Sequence, residues 1–427
     1  MNLFSQPSTL IDALKRNGRD EIINEYVNFL NNPQKNNEIP KFFISESRTS
    51  KSYRLSSFAN VMISLANRES FHSILESYPS FQDVQNLRDA YDDMSRNSHT
   101  RVIKYTQYKQ LRLKWPEKFQ TILSSKLFVE IGGHSMHTIN VDELFKYLDM
   151  IPRCVSHFIR LNQYDIMKNG SISEGSFFDY INDMTDRLHF IDEFMQYNSN
   201  FRDHFIDFVG NRILIVLDPF RVGKVLIHNL IQNQLYLSFV ILESSSDDKS
   251  RNPFSPNTIM NYINEFEAID QNNDGLLNPE DLFKIQDTRF TKAFVDRIFD
   301  VLSGNGPIDF SWYLRFRFVW DNLGTKWANQ IIFDVLDVDG DGFISLFEMN
   351  YFYREIAKNF QDIYPEKQLP TLDSWANEQF DHLNVTSSAI SKEMFIKSRD
   401  VDMLVRQLTD LRTFCKCEFS EDITNLD

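Results

Sequence analysis

Residues 337–348 read DVDGDGFISLFE, with oxygen-bearing groups on either side of Gly342. Six such groups occupy positions 1, 3, 5, 7, 9 and 12 of this stretch: the side chains of Asp337, Asp339, Asp341, Ser345 and Glu348, and the backbone carbonyl of Phe343. Glycine at position 6 permits a sharp turn, and an acid at position 12 supplies two oxygens to Ca²⁺. The spacing therefore predicts a calcium-binding EF-hand loop, the Asp337 loop.

Apolar residues at helical spacing flank the Asp337 loop on both sides. These faces consist of Ile332, Phe333 and Leu336 before the loop and of Met349, Phe352, Tyr353 and Ile356 after it. Ile344 stands at position 8, where a short β-bridge to a partner loop is expected. The segment is thus predicted to be a helix-loop-helix unit.

A second stretch, residues 270–281 (DQNNDGLLNPED), is the Asp270 loop. Its six ligand positions are filled by Asp270, Asn272, Asp274, the carbonyl of Leu276, Asn278 and Asp281. Aspartate at position 12 has a shorter arm than glutamate, so the pattern predicts weaker calcium binding or a preference for Mg²⁺. The alternative is a loop retained only for packing.

The helix-loop-helix pattern recurs along the chain, with an apolar residue in the middle of each loop. Further loops of this kind centre on Ile139, Ile172, Val225, Ile308 and Ile390. They lack the required carboxylates and are predicted to bind no metal. Because the chain has 38 Phe but only 13 Gly and 13 Pro, long packed helices are favoured over turn-rich β-structure.

The predicted fold is all-α, an array of EF-hand-like helix-loop-helix units with an N-terminal helical region. The expected domains are an N-terminal helical region (1–124), a degenerate EF-hand-like lobe (125–256), a calcium-binding lobe (257–396) and a C-terminal tail (397–427). The tail is expected to contain a short helix around residues 403–411 and then to end frayed. Residues 243–251 (ESSSDDKSR) are expected to form a solvated loop or a linker between the two lobes.

Composition excludes several classes of function. The net charge of −15 disfavours an extended nucleic-acid surface. Three cysteines are too few for a disulfide framework, which favours a reducing, cytoplasmic compartment. Neither an export signal nor a membrane span is expected, because the longest apolar runs fall short of ~20 residues. No pattern of nucleophile, phosphate loop or zinc ligands is complete, so no catalytic residue is predicted and the chain is not expected to be an enzyme.

Several segments, in order, are similar to a known family. They are IPKFF (39–43), SSKLF (124–128), LDPFRVGKVLI (217–227), NPFS (252–255), TKAFVDRIF (291–299) and EMNYFYREI (348–356). Together with the two loops, they resemble the B-double-prime regulatory subunits of protein phosphatase 2A, in particular the gamma-type branch.

The resemblance implies a non-catalytic, calcium-binding subunit that joins the phosphatase scaffold and catalytic subunits and directs them to phosphoprotein substrates. It also implies association with centrosomes or microtubules in some members. A stand-alone EF-hand calcium sensor or buffer is the alternative. The aromatic segment 312–320 (WYLRFRFVW) is either a core helix or a partner interface.

Overall fold

The computed structural model describes residues 73–95, 101–133, 138–243, 251–303, 306–385 and 387–419. Two compact units divide the chain, Met1–Ile159 and Arg160–Asp427. The IPKFF segment, most of the predicted N-terminal region and the centre of the predicted loop at 243–251 lie outside the described residues.

Helices dominate the described chain, which confirms the predicted all-α class. The first unit contains Phe81–Ser95, Tyr105–Lys114, Glu117–Gln120 and Ser125–Phe128, and the division between the units falls within Val141–Gln163. The second unit contains Glu174–Thr185, Phe190–Met195, Phe201–Leu217, Ile227–Gln232, Gln234–Ile241, Pro256–Ile269, Pro279–Leu282, Lys292–Ile298, Phe310–Asp321, Lys326–Leu336, Leu346–Ile363, Leu372–His382, Lys392–Lys397, Val401–Thr409 and Leu411–Phe419. Wider π-type turns occupy Val129–Gly133 and Phe299–Ser303. No helix in the described ranges is both long enough and apolar enough to cross a membrane.

The strands are short contacts between loops. They are Val102–Lys104, Thr138–Asn140, Ser171–Ser173, Lys224–Leu226, Phe343–Ser345 and Ala389–Ser391, which pair in that order as antiparallel couples. The mid-loop residues face each other in these couples: Ile103 with Ile139, Ile172 with Val225, and Ile344 with Ile390. Leu277 and Ile308 form a further antiparallel bridge. Position 8 of each paired loop therefore makes the contact expected of it.

One loop partner was not predicted. No loop is predicted around Ile103 from the sequence, yet this residue is 2% exposed and pairs with Ile139. This pairing crosses the boundary predicted between residues 124 and 125. Backbone hydrogen bonds between the two strands join segments that lie on either side of this predicted boundary.

The aromatic helix Phe310–Asp321 belongs to the core of the second unit. Its aromatic side chains are buried, except that Trp312 is partly exposed. The Phe318 ring packs edge-on against Phe208 at 5.1 Å, and Trp320 packs edge-on against Phe290 at 4.8 Å. The core alternative for the segment 312–320 is therefore the correct one.

The C-terminal segment is more ordered than the sequence predicted. Helix Val401–Thr409 covers most of the short helix predicted around residues 403–411, and helix Leu411–Phe419 lies where a frayed end was expected. Phe414 is fully buried and contacts Phe360 edge-on, and the amide of Thr291 donates to the Thr409 carbonyl at 2.9 Å. The acidic composition of the last residues concealed these contacts, and residues 420–427 are outside the described part.

Just before the helix that enters the Asp337 loop, the backbone at Gly324 lies close to the backbone of Arg399. Gly324 has φ +87°, and a Cβ placed on it would lie 2.8 Å from the carbonyl oxygen of Arg399. Its amide donates to Oδ1 of the fully buried Asn329 at 2.8 Å. The Asn329 amide group in turn donates to the Ser398 carbonyl at 2.7 Å. The buried side chain of Asn329 thus joins two segments of backbone, one at Gly324 and one at Ser398.

We expect Gly324→Ala to lower the free energy of unfolding by about 3 kcal/mol, because left-handed backbone strain adds to a steric clash. Gly223→Ala is the matched control, since Gly223 has φ +81° but no atom of the described residues lies within 4 Å of an added Cβ. The control is expected to lose about 1 kcal/mol from strain alone. Urea unfolding measures the free energy of unfolding of both variants. Equal losses of stability in the two would refute the close approach at Gly324.

Candidate metal centre

The Asp337 loop is closed by its own backbone amides. It begins after helix Lys326–Leu336 and leads into helix Leu346–Ile363. Asp337 accepts a hydrogen bond from the amide of Gly342 at 3.0 Å on Oδ2 and one from Gly340 at 2.9 Å on Oδ1. Gly342 has φ +84°, a left-handed conformation that glycine adopts without steric cost. These bonds turn the chain back on itself around the first carboxylate.

Three carboxylates converge within this turn. One oxygen each of Asp337, Asp339 and Asp341 lies within 4.8 Å of the others. The amide of Asp341 donates to Asp339 at 3.1 Å, and the amide of Phe343 donates to Asp341 at 2.8 Å. Like charges held this close repel one another, so a divalent cation between them would be strongly favoured.

Glu348 closes the loop from the start of the exiting helix. Its Oε2 accepts from the amide of Ser345 at 2.9 Å and from the Ser345 hydroxyl at 2.6 Å. The side chain is 1% exposed, and Oε1 is buried with no hydrogen-bond partner among the described residues. A buried carboxylate oxygen without a partner is costly. A Ca²⁺ ligand at position 12 would satisfy this atom, so the residues present fit the metal.

The loop turn alone does not identify a metal site. In the degenerate loops, Asp165 accepts from the amide of Gly170 at 2.7 Å and Asp218 accepts from the amide of Gly223 at 2.7 Å. The aspartate at position 1 therefore keeps a structural role after the other carboxylates are gone. The converging acids and the buried acid at position 12 distinguish the Asp337 loop.

The Asp270 loop carries a weaker version of the same features. Asp270 accepts from the amide of Gly275 at 2.9 Å, and its Oδ1 is buried with no hydrogen-bond partner in the described chain. Asn272 and Asp274, at positions 3 and 5, instead bond to each other at 2.9 Å. The buried oxygen of Asp270 favours a cation here too, with fewer negative charges around it.

Lys284 holds the acid at position 12 of the Asp270 loop. Its ammonium lies 2.7 Å from Oδ1 of Asp281, while the Asn278 amide donates to Oδ2 at 2.8 Å. Burial acts to raise the pKa of Asp281, but the hydrogen bonds from Lys284 and Asn278 outweigh it and lower the pKa overall. Sequence reasoning missed this lysine, although its place three residues after position 12 was the available signal.

The fold and these loops define an EF-hand protein built mainly from helices. A family model described as "EF hand" matches residues 263–284 and 330–352. These two ranges contain the Asp270 loop and the Asp337 loop, and EF hands bind calcium as a class.

Comparison with known proteins shows which EF-hand proteins this chain resembles. The chain is 26% identical to the gamma-type B'' regulatory subunit of protein phosphatase 2A from Xenopus tropicalis over 307 residues, covering 67% of each chain. Against the Homo sapiens protein of the same name, the identity is 23% over 402 residues, covering 91% of this chain and 86% of the relative. The chain is therefore similar to the B'' regulatory subunits of protein phosphatase 2A, as its sequence motifs indicated.

A solved structure shares the fold. One chain from a structure described as the PP2A PR70 holoenzyme aligns with a TM-score of 0.53 and 18% identity. The alignment covers 62% of this chain and 98% of that chain. At this level of identity the likeness establishes the architecture alone.

We expect Glu348→Gln to abolish the tighter calcium site, because an amide cannot supply two anionic oxygens. Isothermal calorimetry of the full chain measures the loss. The matched control is Glu393→Gln, which changes an exposed acid that pairs with Lys397 near the partner loop. Unaltered calcium affinity in Glu348→Gln would show that the ligand assignment is wrong.

The Asp270 loop is expected to bind calcium more tightly in Asp281→Glu, since the longer arm reaches the ion with both oxygens. Lys284→Met is the companion variant, and it should also raise the affinity because the ammonium no longer competes for Oδ1. Calorimetry distinguishes this loop from the other by its lower affinity. If neither variant gains affinity, packing holds the loop in a metal-free shape.

Proposed function

We propose that this chain is a non-catalytic, calcium-binding regulatory subunit of protein phosphatase 2A. In this role it joins the scaffold and catalytic subunits and directs them to phosphoprotein substrates. The observation that carries the proposal is the likeness to B'' gamma subunits, which extends over 91% of the chain and includes both candidate loops. The names of these relatives describe regulators of a phosphatase.

The architecture suits a platform for partners. Paired loops fix neighbouring helices relative to each other, and edge-on aromatic contacts fill the core between them. Such a scaffold presents a preformed surface, so little conformational entropy is lost when a partner binds. A rigid, catalytically inert platform is what a targeting subunit requires.

Calcium is the proposed ligand of this platform. We assign one Ca²⁺ to Asp337, Asp339, Asp341, the Phe343 carbonyl, Ser345 and Glu348, with affinity in the sensor range of about 10⁻⁷ to 10⁻⁵ M. A second, weaker site is assigned to the Asp270 loop, where Mg²⁺ competes. The buried, unpartnered oxygens of Glu348 and Asp270 support both assignments.

The proposed location is the cytoplasm, with association at centrosomes or microtubules. It rests on the family resemblance and on the small number of cysteines. Fluorescence microscopy of the tagged full-length chain alongside a centrosome marker tests it.

A stand-alone calcium sensor is the second candidate, and one observation favours it. Phe343, Phe347 and Met394 are 45%, 57% and 41% exposed near the Asp337 loop. Calcium sensors use exposed apolar and methionine-rich surfaces to capture targets. A sensor would run as a monomer and bind a hydrophobic dye more strongly with calcium than without it.

Purified from its source, the chain is expected to co-elute with a phosphatase 2A scaffold and catalytic subunit in equal amounts. Size-exclusion chromatography and identification of the bound chains measure this. The Glu348→Gln variant, compared in parallel, shows whether the Asp337 loop changes capture. The proposal fails if the intact, calcium-loaded chain does not bind the scaffold and catalytic pair of its own organism.

A further inference from the structure

The two candidate calcium loops belong to different loop pairs. The Asp337 loop pairs with the loop around Ile390, and the Asp270 loop pairs with the loop around Ile308. Neither partner loop has the carboxylates for calcium. The β-bridge that joins the two loops of a pair therefore cannot transmit calcium binding directly from one candidate site to the other.

Helix Lys292–Ile298, which we call the bridging helix, connects the two loop pairs. It leads through the turn Phe299–Ser303 towards Ile308. Ile308 exchanges two backbone hydrogen bonds with Leu277 of the Asp270 loop, at 2.8 and 2.9 Å. Helix Pro279–Leu282, which carries Asp281 of the Asp270 loop, also contacts the bridging helix.

Arg297 ties the bridging helix to the helix that enters the Asp337 loop. Its Nε donates to the Val335 carbonyl at 3.1 Å, and its Nη2 donates to the Asp337 carbonyl at 3.0 Å. These carbonyls lie at the C-terminal end of that helix and at the first loop residue, where the helix dipole favours a cation. The guanidinium therefore fixes the start of the Asp337 loop.

Glu355 ties the bridging helix to the helix that leaves the same loop. Its two carboxylate oxygens accept from the amides of Lys292 and Ala293, each at 2.7 Å. Glu355 lies seven residues after Glu348 on helix Leu346–Ile363, which is about two helical turns and therefore the same face. Movement of Glu348 towards an ion carries Glu355 with it.

We propose that Arg297 and Glu355 are positioning residues that couple the two calcium loops through the bridging helix. An ion in the Asp337 loop fixes both of its helices, and the two side chains then fix the bridging helix and the helix Pro279–Leu282 that it contacts. The ordering cost of the Asp270 loop is lower once this has happened, so the coupling is positive. This inference rests on the proposal that both loops bind calcium.

Calorimetry of the full chain tests the coupling. All proteins compared carry Asp281→Glu, so that both loops have a glutamate at position 12. Glu348→Gln is expected to weaken calcium binding at the Asp270 loop about fivefold or more, within the usual range for coupled sites. With Glu355→Gln or Arg297→Lys added, Glu348→Gln should change that affinity by less than about twofold. Asp296→Asn is the control, because this acid on the same helix pairs only with Lys292 among the described residues.

Hydrogen exchange gives a second readout that does not depend on the Asp270 site. Calcium should slow exchange at the amides of Lys292 and Ala293 in the unaltered chain, but not in Glu348→Gln. The inference is overturned if both loops bind and Glu348→Gln leaves the Asp270 loop unaffected, or if removing Glu355 leaves the coupling intact. No calcium at the Asp270 loop in any variant would overturn the proposed second site, and the coupling with it.

Discussion

Backbone groups in the middle of each loop hydrogen bond to a second loop, and this pairing organises the helices around it. A three-residue strand is too short to stand alone, so Ile344 requires Ile390 and Ile172 requires Val225. Each bridge fixes the ends of four helices at once. The apolar mid-loop residue is buried at the same time, which links the backbone contact to the core.

Loss of metal ligands leaves this pairing intact. Asp165 and Asp218 still close their turns through the amides of Gly170 and Gly223, and the strands that follow still pair. The loop can therefore close its turn without the carboxylates that cation binding requires. This allows loops without metal ligands to keep their pairing.

Sequence patterns predicted the local features well. Ligand spacing located both candidate loops, and the mid-loop apolar residues marked most of the paired positions. These features are local, because twelve consecutive residues contain the whole signal. The resemblance to B'' subunits followed from short segments that occur in the family's order along this chain.

Contacts between distant segments were not predictable in the same way. The pairing of Ile103 with Ile139, the buried C-terminal Phe414 and the bonds made by Arg297 all join residues far apart in sequence. The residues that make these contacts belong to no recognisable sequence motif, so the sequence alone does not predict the contacts. The choice between core and interface for helix Phe310–Asp321 likewise needed the burial of each side chain.

Calcium binding by the Asp337 loop is tested most directly by a crystal structure of the full chain, from crystals grown with calcium, in which anomalous scattering locates the ion. We expect an ion in the Asp337 loop with both Glu348 carboxylate oxygens at about 2.3 to 2.6 Å from it. Absence of a peak there at millimolar calcium, with Oε1 of Glu348 still unpartnered, would contradict it.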